Sequence, residues 1–178
     1  MNKKSVQNSK LTIKDIAVMG VMVATMTACK YAMSLLPNIE PVSLLIILYT
    51  LFLGPKVIYA ILVFVLIEGL IYGFGSWWIC YLYIWPLLAI LAHFLGKKVT
   101  NGKQRIWAFS ILSGLFGLFF GALCSIPYFF IGGVTFGFNY FIAGIPYDIL
   151  HCVGNFCICL VLFHPLHTTL NKISKYIS

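Results

Sequence analysis

Three ionisable side chains, Lys30, Glu68 and Asp148, interrupt stretches that are otherwise apolar. Placing such a group in hydrocarbon costs about 2.5–3.5 kcal/mol even on the lenient insertion scale, so each is either paired or functional. Asp148, His151 and Asn155 recur at i, i+3 and i+7 and share one helical face with Gly144 above them. Trp78, Tyr81 and Trp85 repeat that spacing, and Glu68 and Tyr72 stand one turn apart. Such a set suits a small-molecule cup, with apolar walls for a flat ring and a few polar groups to orient it. The same residues have plainer readings. Trp77, Trp78, Tyr81 and Tyr83 fit an interfacial aromatic belt. Lys30 could neutralise Asp148 or Glu68 as a structural pair, although two acids against one base leave a charge over. His151 alone reads as a packed bundle histidine.

The elements that position these groups follow from composition. The chain has 178 residues, 61% of them hydrophobic and only 9% charged, with a mean hydropathy of +0.99. Soluble domains carry about a quarter charged residues, so a water-soluble enzyme is excluded, as is a disordered polyelectrolyte. Apolar stretches of about 20 residues, the length that crosses a bilayer core, predict an all-α integral membrane bundle forming one domain over 1–178. Its six transmembrane helices fall at about 13–36, 41–54, 56–73, 78–95, 106–130 and 140–163. The breaks are turn-forming: Pro37 to Pro41, Gly54-Pro55, Gly73-Phe74-Gly75, the polar run Gly96 to Arg105, and Gly132 to Asn139.

The formal net charge of +8 matters here through its placement rather than as a nucleic-acid signature. With the N-terminus inside, Lys3, Lys4, Lys10, Lys14, Lys56, Lys97, Lys98, Lys103, Arg105, Lys172 and Lys175 all fall on the inner side, and only Lys30 lies within a span. That bias places both termini in the cytoplasm. Val42 to Leu53 spans roughly 18 Å at the helical rise, short enough to suggest a re-entrant half-helix. That alternative would send the Lys97–Arg105 loop outside and destroy the bias, so a tilted or locally thinned crossing is preferred. In this arrangement Lys30, Glu68 and Asp148 all lie in the outer half of the bilayer and are expected around one outward-facing hollow.

Met26-Thr27-Ala28-Cys29 loosely resembles a lipoprotein cleavage site, but the apolar run continues to Leu36, and helix 1 is read as retained. Gly20, Ala24, Ala28 and Ala32 recur every four residues, a flat ridge on which another helix could sit. Similar pairs occur at Gly69 and Gly73 and at Gly117 and Gly121, and Pro86, Pro127 and Pro146 are expected to kink their helices. The six cysteines read as small apolar packing residues. Cys152, Cys157 and Cys159 do not make a metal site, because 157 points away from the face that 152 and 159 share. A Walker-type loop, a His-Glu-x-x-His motif, a Gly-x-Ser-x-Gly elbow, a paired-glutamate run and a channel-filter repeat are all missing from the sequence.

With these residues assembled, the chain resembles the substrate-binding S components of energy-coupling factor (ECF) vitamin transporters. Lys14-Asp15-Ile16-Ala17-Val18-Met19-Gly20-Val21-Met22-Val23-Ala24 is similar to the family's basic lead into helix 1, with Gly20 in place of the usual first alanine of its Ala-x-x-x-Ala motif. Glu68 to Gly75 and Tyr81 to Trp85 resemble its helix 3 to helix 4 region. The resemblance implies a multi-pass protein of the bacterial cell (plasma) membrane that captures a vitamin or related micronutrient from outside, with loops 1, 3 and 5 as a lid. It also implies that Gly20, Ala24 and Ala28 dock on a transmembrane coupling subunit driven by two cytoplasmic ATPases. Toppling of the S component would then deliver the nutrient inward. Family members bind chemically different vitamins; an acid-rich aromatic pocket favours a flat ring with donor or cationic groups over a polyanion.

The expectation is therefore a non-enzymatic binding subunit with Lys30, Glu68, Tyr72, Tyr81, Trp85, Asp148, His151 and Asn155 as substrate contacts. It has no cofactor or metal, and its partners are a small-molecule nutrient, the coupling and ATPase subunits and membrane lipid rather than nucleic acid. Two alternatives stay open: a membrane-embedded enzyme using Asp148 as base with His151 as its orienting partner, and a structural or accessory membrane subunit.

Overall fold

Thr12 opens the first helix with a reciprocal cap: its hydroxyl accepts from the Asp15 N–H at 3.1 Å, and the Asp15 carboxylate accepts from the Thr12 N–H at 2.9 Å. The same carboxylate pairs with Lys56 at 2.7 Å, tying the start of α1 (Ile13–Ala32) to the turn between the next two helices. In this computed structural model residues 11–36 and 38–177 are described, with side chains to residue 173. Lys3, Lys4, Lys10, Pro37 and the Lys175 side chain fall outside the described residues.

Met19, Met22, Val23 and Met26 form the buried stripe of α1 at helical spacing. The helix stops at Ala32, and residues 33–36, expected to continue it, make turns instead. A short 3-10 turn, Gly54–Lys56, joins α2 (Val42–Leu53) to α3 (Val57–Tyr72). Every residue of α2 from Val42 to Thr50 is buried, Ser43 and Thr50 included. This helix is walled in by protein over most of its length. Gly54 (φ 59°) and Gly73 (φ 89°) supply the left-handed backbone that ends α2 and α3.

After α4 (Ser76–Lys98), the chain enters α5 (Gly102–Leu118) and α6 (Phe120–Ile177), the latter broken by Gly133 at φ 80°. Helical bonding carries on through Phe119, whose N–H donates to Leu115 and whose carbonyl accepts from Leu123, both at 3.0 Å. The expected break over Gly132 to Asn139 therefore shrinks to Gly133, with residues 134–139 helical. Backbone amides in apolar surroundings keep their internal bonds wherever a single glycine suffices to redirect the chain. The two arms run antiparallel. A Cβ on Gly117 would lie 2.7 Å from the His151 carbonyl, one on Gly114 would lie 3.1 Å from the Phe156 Cβ, and Phe109 stacks on Phe163 at 5.1 Å. Glycine at 114 and 117 lets the backbones approach this closely.

The described residues contain no strand, and the fold they form is all-helical. Three stretches are long and apolar enough to cross a membrane: Val42–Tyr72, Ser76–Lys98 and Gly102–Ile173. Helix α1, with Asp15 and Lys30 near its two ends, is not among them. Val21, Leu62, Leu66, Leu70, Leu91, Ile142, Val153 and Val161 are all exposed. An apolar exterior of this extent suits lipid and would be an aggregation hazard in water.

Candidate functional site

Lys30 occupies the last turn of α1, and its ammonium is held by groups from two other helices. Glu68 of α3 pairs with it at 2.5 Å, and the Tyr81 hydroxyl of α4 accepts from it at 2.9 Å. The same nitrogen lies 4.6 Å from the Tyr81 ring centroid and 5.8 Å from that of Tyr72, both within cation–π range. Glu68 is fully buried, and its carboxylate makes no hydrogen bond among the described residues beyond this ion pair. Lys30 retains 16% exposure, so the cation faces outward from the pair.

It faces a hollow of about 360 Å³, lined also by Met33, Asn38, Glu40, Tyr72, Trp77 and Tyr81, large enough for a small ligand. Glu40, Asn38 and Trp77 were not anticipated as contacts. Glu40 sits in a turn between two prolines, where an acid ordinarily reads as solvated. Here it lines the hollow and is half-buried. Burial pushes the Glu40 carboxyl above the ordinary glutamate range; Lys30 pulls it back and Glu68 raises it further. Trp77, one residue off the expected stripe, meets Tyr81 edge-on at 5.2 Å. Trp78 instead pins α4 to α3 by donating to the Val65 carbonyl at 2.8 Å, above Gly69, where a side chain would strike its ring.

The structure does not bring Asp148 to this pair. It lines a neighbouring hollow of about 420 Å³ with Asn38, Phe120, Gly121, Cys124, Tyr140, Gly144 and Tyr147. One Asp148 oxygen accepts from the Gly121 N–H at 2.9 Å, and no salt bridge includes it among the described residues. An aromatic partition stands between the hollows: Trp85 is 5.3 Å from Tyr81 and 5.6 Å from Phe120, and Phe120 is 6.3 Å from Tyr81. Spacing along single helices cannot reveal this separation, because side chains from α4 and α6 create it.

The polar stripe of α6 is divided as well. His151 is buried behind Phe120 at 4.8 Å between rings, with neither ring nitrogen hydrogen-bonded among the described residues. No Asp148–His151 hydrogen bond forms. Asn155 lies deeper and donates to the Ser43 hydroxyl at 3.0 Å and the Ser113 carbonyl at 3.3 Å, joining three helices. Trp85 is fully buried, and its indole N–H has no partner among the described residues.

Gly20, Ala24, Ala28 and Ala32 are exposed on the side of α1 away from its buried methionines, and a Cβ on Gly20 would meet nothing within 4 Å. Cys159 is buried, Cys152 half-buried and Cys157 exposed, and no three His, Cys, Asp or Glu side chains gather as metal ligands among the described residues. The arrangement can hold a small polar molecule against aromatic faces. No family model, curated protein or solved structure matches the chain, so its function has to be argued from this geometry.

Proposed function

We propose that this chain is the high-affinity substrate-binding (S) subunit of an ECF-type transporter: a six-span bundle with both termini cytoplasmic, capturing a small ring-containing micronutrient from outside the cell. The observation that carries the reading is the Lys30–Glu68 pair, whose Lys30 side lines a hollow walled by Tyr72, Trp77 and Tyr81. This pair keeps its cation at an open cavity, within reach of a bound molecule. The exposed small-residue face of α1 is consistent with docking on a coupling subunit, from which two cytoplasmic ATPases would drive uptake.

Mass spectrometry of the small molecule that survives gentle purification tests the binding role directly, and a micronutrient should be found. Glu68→Gln should weaken its binding substantially. Affinity capture should also recover a larger membrane subunit and an ATPase pair. Gly20→Trp or Ala24→Trp should abolish uptake while leaving binding unchanged; normal transport by either variant would remove the docking surface from the proposal. Turnover of a substrate by the isolated chain would replace the transport reading with an enzymatic one.

A further inference from the structure

The two hollows are neighbours rather than separate sites. Asn38 lines both, and its side chain reaches toward the Tyr147 carbonyl at 3.3 Å. Tyr81 lines the first and Phe120 the second, their rings 6.3 Å apart with Trp85 packed against both, and side chains can rotate where backbone cannot. Phe120 itself is only partly buried.

Charge is unbalanced in both. In the first, Lys30 is matched by Glu68, which leaves Glu40 as a second carboxylate at the wall. In the second, Asp148 uses one oxygen for Gly121, and no basic residue lines the cavity. The partition hides further unmet polar atoms: both nitrogens of His151, 2% exposed, and the indole N–H of the fully buried Trp85. Neither residue lines a hollow, so these atoms stay shut off from both while the partition is closed. Aromatic faces, an excess of carboxylate and no surplus cation together describe a receptor for positive charge on a flat framework.

We propose that one elongated ligand occupies both hollows, an organic cation whose flat ring lies against Trp77 and Tyr81 beside Glu40 and whose far end presents an ammonium, amidinium or N–H donor to Asp148. This rests on the nutrient-capture reading and specifies the chemistry of the molecule captured. Phe120 is the side chain that must move aside.

The test uses the full chain in nanodiscs, followed by tryptophan fluorescence, with three kinds of probe. These are benzamidine, a series of bis-benzamidines with linkers of three to six methylenes, and the bis-benzoates of matching length. At least one bis-benzamidine should bind ten-fold or more tightly than benzamidine, and bis-benzoates should not compete. Asp148→Asn retains an oxygen for the Gly121 N–H. It should reduce the best bis-benzamidine to the affinity of benzamidine without altering benzamidine itself, which also reports that the variant is folded. Glu40→Gln should weaken both. The inference is overturned if no linker length improves on benzamidine, if the bis-benzoates bind equally well, or if Asp148→Asn weakens both amidines alike. A neutral or anionic molecule that co-purifies and is lost with Glu68→Gln would refute the cation while leaving nutrient capture standing. Absence of any bound molecule together with absence of probe binding would remove both.

Discussion

Lys30 and Glu68 need one another, but not equally. Glu68 is wholly enclosed and has only the ammonium, whereas Lys30 has the Tyr81 hydroxyl and a partly open side. Removing one member of a buried pair typically costs about 3–5 kcal/mol, because the other charge is stranded, while replacing both by apolar groups is far milder. Lys30→Met should therefore lower the thermal midpoint in detergent more than Glu68→Gln, and Lys30→Met/Glu68→Leu should recover most of the loss. A double variant no better than Lys30→Met would contradict this ordering. Both residues were legible in the sequence because charge in hydrocarbon is costly enough to stand out, but the spacing left the partner of Lys30 open between Asp148 and Glu68. Glu40 and Trp77 were not, since a turn acid and one more aromatic near an interface carry no such cost, and only the packing of the 38–41 connection and of α4 around one hollow makes them contacts.

At the scale of elements, the close passage of α5 against α6 depends on glycine at 114 and 117. A Cβ at 117 would press on backbone, not on a side chain able to swing away. Gly117→Val should thus destabilise the protein by about 1–3 kcal/mol or more, as overpacking does. Gly20→Val, in open space, should leave thermal unfolding nearly unchanged; comparing their melting curves checks the contrast. Apolar runs located the helices well, because hydrocarbon enforces them. They could not show that α2 is enclosed by its neighbours, since a helix apolar all round reads the same against protein as against lipid. Nor could they show that Gly133 alone redirects α6, because glycine-rich composition marks where a helix can break without saying how much of it will.

For the whole molecule, three stretches meet the length and apolarity that a bilayer demands, and the proposed orientation places the α3–α4 connection outside and the α4–α5 connection inside. In a cysteine-free background, Gly75→Cys should react with a membrane-impermeant maleimide on intact cells, and Asn101→Cys only after permeabilisation. The reverse pattern would invert the orientation. Beyond Gly133, α6 runs to Ile177, roughly 66 Å of helical path at 1.5 Å per residue, about twice the thickness of the hydrocarbon. In the proposed orientation its last turns, carrying His164, His167, Asn171 and Lys172, stand clear of the lipid on the inner side as a mast. Any rocking of the bundle is then magnified at the mast's tip, so a spectroscopic label there would read out, from the aqueous phase, a rotation too small to follow within the membrane.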